Sequence, residues 1–243
     1  MSKTVKEWVN TDVEKIKGTS YQILAEQYFF RDPSRPYNVD SSYLFSPADG
    51  IIMYQKIVEP DECVVQIKGE NHTLQNAMQD FAYSKKSLVI GIFMTFYDVH
   101  INRMPSFGYL SYKYLERIQS YNYPMLDIEN DIVEKFMVNF NNAEYMFYNE
   151  RLLNTIFAPA IKQNYYIIQI ADYGVKTILP FSLKQHQPFF QTRRFSQIRY
   201  GSQVDLIIPI SDSYEFELLQ TTEMHVEAGI DPLIKILPKD INL

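Results

Sequence analysis

The chain has 243 residues with 46% hydrophobic and 21% charged content, which is enough for one globular domain with a substantial core, expected over 1–243. A formal net charge of −6 argues against nucleic acid as a partner. Cys63 is the one cysteine, which excludes an internal disulfide and a cysteine-based metal cluster and fits a reducing cytoplasm.

Val5, Trp8, Val9, Val13 and Ile16 recur at helical spacing and Gly18 supplies a stop, so an N-terminal helix is expected. The charged residues of 1–17 leave no apolar run for a signal peptide or anchor. A second short helix is expected over 19–29, and Pro33, Pro36 and the polar residues to Ser42 read as a loop. Strands are expected at 43–45 and 51–58 around the turn Pro47-Ala48-Asp49-Gly50, and at 64–67. Residues 73–84 fit an amphipathic helix or a loop-helix insert. From Ser87 onward strand patterns follow at 88–96, 107–114, 141–148, 152–158, 164–170, 198–200 and 204–210, and the alternating tail from Glu223 is turned by Gly229 and Pro232. The fold class is therefore mainly β (α+β), a barrel- or sandwich-like antiparallel sheet core with peripheral N-terminal helices. The longest apolar stretch, 88–97, is about half of the ~20 residues a spanning helix needs, so contact with lipid would be peripheral.

Gly201-Ser202 carries the chemistry. A serine hydroxyl can add to an unhindered glycine carbonyl and shift the acyl group from nitrogen to oxygen; the ester then eliminates to dehydroalanine, which hydrolyses to a pyruvoyl group. Alone, a Gly-Ser pair reads as a turn before a strand. Alone, Asp49 reads as the cap of its tight turn and His100 as a half-buried histidine at a strand end. Four further segments accompany the pair: Phe29-Phe30-Arg31-Asp32-Pro33, Ser46-Pro47-Ala48-Asp49-Gly50, Val99-His100-Ile101-Asn102-Arg103-Met104-Pro105, and Asn149-Glu150-Arg151. In this order and at this spacing the chain resembles the phosphatidylserine decarboxylase family from about residue 25 to about residue 240. The likeness is strongest to its short, archaetidylserine decarboxylase-like branch, which has VHxNRxP and a Gly-Ser followed by a polar residue other than Ser or Thr.

The resemblance implies self-cleavage between Gly201 and Ser202 into a β chain, 1–201, and an α chain, 202–243. It implies C-terminal strands like those of biotinyl and lipoyl domains. It also implies a pyruvoyl group made from Ser202 as the cofactor, an electron sink like pyridoxal phosphate. Ser202, His100 and Asp49 would be catalytic, with the aspartate of SPxDG orienting the histidine. Many members carry HRxH and use its second histidine in self-cleavage; that position here is Arg103, so the base for Ser202 is open and His100 is the choice.

Arg103 and Asn102 are expected to bind substrate, the guanidinium gripping a carboxylate or phosphate, with a salt bridge to a neighbour such as Asp98 as the alternative for Arg103. Glu150-Arg151 reads equally as an ion pair or a catalytic element. Arg193, Arg194 and Arg199 read as a solvated strand face or a phosphate-binding edge. Phe93, Met94, Phe96, Met104 and Phe107 read as core or as a receiver for acyl chains. His72, His186 and His225 match no motif, and no metal is expected.

The implied reaction turns phosphatidylserine, or a related seryl phospholipid, into its ethanolamine form with release of carbon dioxide. A soluble decarboxylase of a free aromatic amino acid and an uncleaved binding module are the alternatives. The expected partners are the phospholipid substrate, the α and β chains of one precursor and a second copy in a homodimer. The expected location is the cytoplasm, with peripheral contact to the membrane.

Overall fold

Residues 87–94 and 202–209 are buried along their whole length, which requires cover on both faces of the sheet that contains them. The computed structural model describes residues 2–37, 39–172 and 176–239; Met1 and 240–243, the ends of the expected domain, lie outside these. In chain order its strands are β1 (Lys3–Thr4), β2 (Tyr43–Phe45), β3 (Gly50–Val58), β4 (Val65–Ile67), β5 (Glu70–His72), β6 (Ser87–Met94), β7 (Ile101–Arg103) and β8 (Gly108–Tyr114). They continue with β9 (Arg151–Ala158), β10 (Gln163–Ala171), β11 (Ile178–Pro180), β12 (Gln187–Phe189), β13 (Arg194–Ile198), β14 (Ser202–Pro209), β15 (Tyr214–Leu218), β16 (Met224–Val226) and β17 (Pro232–Pro238). A nine-stranded sheet runs in the order β1-β16-β3-β6-β14-β10-β9-β8-β12, and β11-β13-β7 and β15-β17-β2 form smaller sheets.

Alternation along β14 sorts its side chains between two cores. Val204, Leu206 and Ile208 pack with Phe195 and Ile198 of β13 and with Leu233 and Ile234 of β17. Ile207 faces the other way, into a cluster built from Val9, Val13, Ile128, Ile132 and Tyr145 of the helical segments. The large sheet is thus sandwiched between helices and smaller sheets. Its pairing is antiparallel throughout, and it is not closed into a barrel.

Several expected elements change. The N-terminal helix is one α-turn, Val5–Trp8, continuing as a wider π-turn, Val9–Val13, and the second has the same form, Tyr21–Ile23 then Leu24–Tyr28. The 73–84 helix is only Leu74–Met78, ended by Gln79 at φ 49°. Residues 141–148 are not a strand; Tyr145–Tyr148 is a helical turn that buries the adjacent side chains Tyr145 and Met146, which strand alternation would put on opposite faces. The strand expected at 198–200 ends at Ile198. The tail strands β16 and β17 do not pair with each other: β16 lies between β1 and β3, and β17 between β15 and β2. Helix Leu126–Lys135 was not expected, nor were β7, β11, β12 and β15.

Two contacts fix the sheet end that carries the motifs. Gly50 has φ 151°, and a Cβ there would stand 2.1 Å from the Phe93 carbonyl oxygen, so only glycine lets β3 lie against β6 at this point. His225 Nε2 lies 2.7 Å from Asp98 Oδ1, and the indole of Trp8 stacks on the imidazole with centroids 4.6 Å apart. Burial disfavours the His225 cation, but Asp98, with Asp49 and Glu227 adding the same sign, raises its pKa above the ordinary 6.5. Burial likewise opposes the Asp98 anion, and the His225 charge with two Thr95 hydrogen bonds brings its pKa below 3.8.

Gly50→Ala is expected to cost about 2–4 kcal/mol, from backbone overlap and a strained dihedral, read as a fall in thermal or denaturant midpoint. Removing one partner of the buried pair as His225→Gln is expected to cost about 3–5 kcal/mol near pH 5.5. The raised histidine stabilises the fold below its unfolded pKa and loses this as pH rises through the folded one. The lowered aspartate stabilises above its unfolded pKa and loses this as pH falls. The gap between wild type and His225→Gln in urea unfolding therefore narrows on the alkaline side, as pH rises through the raised His225 pKa.

Candidate active site

The ladders bring four strand ends to one place. Ser202, the first residue of β14, pairs with Met94, the last of β6, on one side and with Ala171, the last of β10, on the other. Gly50, the first residue of β3, approaches the same end of β6 through the Phe93 carbonyl. Asp49, the turn 95–100, Asp172 and Gly201 therefore all leave the sheet at its same edge, and the motifs read from the sequence occupy these exits.

Ser202 is fully buried and its Oγ donates to Met94 Sδ at 3.1 Å. A thioether is a weak acceptor, so this bond does not lock the hydroxyl. Asn102 Nδ2 reaches the same sulfur at 3.7 Å and donates to the Pro47 carbonyl at 3.3 Å, while Asn102 Oδ1 accepts from Gln169 at 2.6 Å. Asn102 thus sits behind the serine in a buried polar network. Tyr200, just before the Gly-Ser pair, has φ 69°, a left-handed conformation that costs a bulky residue about 1–3 kcal/mol.

His100 is fully buried and its Nε2 lies 2.9 Å from the Thr95 carbonyl. A carbonyl only accepts, so Nε2 carries the hydrogen and Nδ1 the lone pair. Nδ1 is buried with no hydrogen-bond partner among the described residues. Burial lowers the pKa of His100 below the ordinary imidazole value, against the smaller opposing pull of the Thr95 carbonyl, Asp98 and Asp49, so the ring is a neutral base at neutral pH. Phe29 stacks on it at 4.8 Å and also touches Phe96 and Tyr200. Among the described residues no hydrogen bond joins His100 to Ser202 or to Asp49.

Asp49 is engaged elsewhere. Both its oxygens take hydrogen bonds from Arg35, at 2.6 and 2.5 Å, and Oδ1 also accepts from the Ala228 N–H at 2.7 Å. Arg103 donates to Asp32 and to the Thr192 carbonyl, both at 3.1 Å, and not to Asp98. Arg194 is its direct cross-strand partner, a like-charge pair that would repel without Asp32, which binds both guanidiniums. Tyr37, Arg193 and these groups line a groove of about 250 Å³. A larger cavity of about 410 Å³, lined by Arg31, Arg35, Asp49, Asp98 and His225, lies at the same sheet edge, although Ser202 and His100 do not line it.

The segment from Phe29 to Arg35 is a strap over this edge. Phe29 covers His100, Arg31 donates to the Tyr97 and Asp98 carbonyls, Asp32 clamps the two arginines and Arg35 holds Asp49. Asn149 and Glu150 brace the other side. Asn149 Nδ2 donates to the Ala171 carbonyl at 2.8 Å, and the Glu150 carbonyl accepts from the Ala171 N–H at 2.9 Å. Arg151 donates to the Asn76 and Ala77 carbonyls and forms no ion pair with Glu150. Phe93, Met94 and Met104 are core side chains, fully buried, whereas Phe107 is exposed. Sequence reasoning missed His225, Glu129 and Asp172, which no local pattern marks. Among the described residues no group of three or more His, Cys, Asp or Glu converges for a metal ion.

Comparison with known proteins agrees with this arrangement. A protein of Methanocaldococcus jannaschii named as an archaetidylserine decarboxylase proenzyme is 29% identical over 77% of this chain and 80% of its own length. Phosphatidylserine decarboxylase proenzymes of Chlorobium phaeobacteroides and Pelagibacter ubique are 27% and 28% identical, over 79% and 74% of this chain and 72% and 67% of their own lengths. The family model described as phosphatidylserine decarboxylase matches residues 25–231, and the chain belongs to that family of carboxy-lyases.

Proposed function

We propose that the chain is a proenzyme that cuts itself between Gly201 and Ser202, into chains 1–201 and 202–243, and then decarboxylates phosphatidylserine or a related seryl phospholipid. The observation that carries this reading is the buried, unpartnered Nδ1 of His100 at the sheet edge where Ser202 begins β14. Ser202 Oγ leaves Met94 and adds to the Gly201 carbonyl carbon as its proton passes to His100 Nδ1. Asp49 and Asp98 steady the imidazolium through space, without a hydrogen bond. The carbon–nitrogen bond then breaks to give an ester, loss of the Ser202 α-proton expels Gly201 as a carboxylate, and water releases ammonia from the dehydroalanine.

The site suits the pyruvoyl group so formed, because residue 202 is fully buried and held by ladders on both sides. That group supplies an electron sink for the pair released as carbon dioxide departs. Interleaving supports two chains in one fold: β14 lies between β6 and β10, and β16 between β1 and β3. The short C-terminal piece is too small for a core of its own.

The groove at Arg103, Arg193 and Arg194 favours a phosphate-bearing substrate over a free amino acid. Asn102 belongs to the same reading as a polar group for the seryl part, through exchange of its Met94 contact. A homodimer and peripheral contact with lipid, from the cytoplasm, complete the proposal; no described helix is long and apolar enough to cross a membrane.

Denaturing mass spectrometry of the expressed chain is expected to give two pieces, the smaller beginning with a pyruvoyl group. Ser202→Ala is expected to abolish the cut and His100→Ala to slow it by ~100-fold or more. A wild-type chain that stays whole would sink the proposal and favour the binding module. Carbon dioxide release is expected from phosphatidylserine in detergent and not from free Trp, Phe or Ser. Arg103→Gln is expected to raise KM for the phospholipid by ~10-fold or more, reflecting loss of a charged hydrogen bond; turnover of the free amino acids instead would transfer the chain to the soluble class.

A further inference from the structure

The self-cleavage chemistry above provides a base for the Ser202 hydroxyl but no acid for its nitrogen, and the carbon–nitrogen bond cannot break cleanly unless that nitrogen gains a proton. The structure holds a carboxyl group beside it. Asp172, 5% exposed, follows the last residue of β10, one step beyond the rung that pairs Ala171 with Ser202. Its Oδ2 lies 3.0 Å, and its Cγ 3.6 Å, from the point where a Cβ on Gly201 would stand. The carboxyl lies against the face on which Gly201 lacks a side chain, so a Cβ there would press on it and on the Phe96 ring, 3.1 Å from the same point, and both would have to give by a few tenths of an ångström.

The placement is built rather than incidental. Asp172 Oδ1 accepts from the Met125 N–H at 2.8 Å, and its carbonyl accepts from Asn122 Nδ2 at 2.6 Å. Asn122 Oδ1 in turn accepts from the Glu150 N–H at 3.0 Å. Together with the Asn149 and Glu150 bonds to Ala171, these hold the carboxyl in place against Gly201. This gives the Asn-Glu-Arg element a purpose that an ion pair does not.

A second buried carboxyl stands behind the first. Glu129 lies on helix Leu126–Lys135, which begins just after Met125, and both its oxygens are 3.2 Å from the Phe96 N–H. Burial, with Asp98 and Asp172 nearby, pushes its pKa well above the usual carboxylate range. Two buried acids that feel each other retain a proton that separate ones would lose.

We propose that Asp172 is the acid of self-cleavage, giving its proton to the Ser202 nitrogen as the bond to Gly201 breaks, with Glu129 behind it. The balance closes. Ser202 Oγ–H loses its proton to His100 Nδ1, the nitrogen gains one from the Asp172 carboxyl, and the imidazolium returns its proton to the acid pair. The products are an ester and an amine. This inference rests on the self-cleavage reading of the previous subsection.

The test is pulse–chase of the full-length chain made in a cell-free system, following the rate at which the precursor splits. Asp172→Asn keeps the shape and the acceptor for Met125 and removes the acid. It is expected to slow splitting by ~100-fold or more while the melting temperature stays near that of unsplit Ser202→Ala. Hydroxylamine, which opens esters, is expected to release no fragment from it, because the block precedes the ester.

The wild-type rate is expected to fall as pH rises and strips the acid pair of its proton, and the Asp172→Asn rate to lack that fall. The other titratable groups facing the pair are Asp98 and Tyr97 from the turn after β6 and Tyr145 from its helix; Glu129→Gln separates their contribution from that of the pair. Asp172→Asn that splits at the wild-type rate, keeps the wild-type pH profile or accumulates a hydroxylamine-sensitive ester overturns the role of Asp172 and leaves self-cleavage standing. A wild-type chain that never splits overturns self-cleavage itself.

Discussion

The pairing of Ser202 between Met94 and Ala171 is the constraint on which the rest of the site depends. It starts β14 at the serine, so the proposed nucleophile is flanked by a paired strand on each side while the residue before it lies outside the ladder. It also fixes what lies nearby. Whatever follows Met94 and Ala171 must leave at the same edge, and these exits are the turn that carries His100 and the segment that opens with Asp172. The ladder is itself pinned from within the core. Gln203 donates to Tyr54 and Asp205 at 2.9 and 2.7 Å, so the first rungs of β14 cannot slip by one residue without burying unsatisfied polar groups.

Around that edge the sequence motifs turn out to be structural braces as much as chemical groups. Phe29 packs on His100, whose burial keeps the imidazole neutral. Arg35 and Asp49 tie the strap to Ala228, a residue beyond the proposed cut, and His225 and Asp98 do the same one strand away. Hydrogen bonds and ion pairs therefore span the two proposed chains on both sides of the site. Two arginines share Asp32, so the basic groove is partly neutralised at rest and has charge to offer an anion that displaces that carboxylate.

Much of the fold was legible because the central strands carry long apolar runs: 88–96 and 204–210 read as strands by composition alone. The helix Leu126–Lys135 was not, since Asp127, Glu129, Asp131, Glu134 and Lys135 mask a stripe of only Ile128, Ile132 and Val133. The strand expected at 141–148 failed for the opposite reason, because a dense aromatic run has strand composition while its buried positions Tyr145 and Met146 are adjacent and do not alternate. At the site, Ser202, His100, Asp49, Asn102 and Arg103 were named because motifs mark them. His225 was not: its partner Asp98 is 127 positions away, and nothing local marks either residue for the other. Asp172 reads in the sequence as the polar end of a strand, and its meeting with Gly201 exists only through the register of β10 on β14.

If the chain cuts itself as proposed, the same register explains how it could lose a peptide bond in its core and keep its shape. A cut within β14 would sever a strand that both cores need, whereas a cut just before Ser202 falls where the ladder has not yet begun. Tyr200, two residues before Ser202, holds the left-handed conformation at φ 69° that a bulky residue adopts only at a cost. The new chain end is then the first rung of a strand with neighbours on both sides, buried and dry. Such a position suits a reactive carbonyl, because the groups around it act more strongly without competing water. On the proposed self-cleavage, adjacent residues would carry the two tasks: Gly201, outside the ladder and just after the left-handed Tyr200, on the side that breaks, and the paired Ser202 on the side that stays.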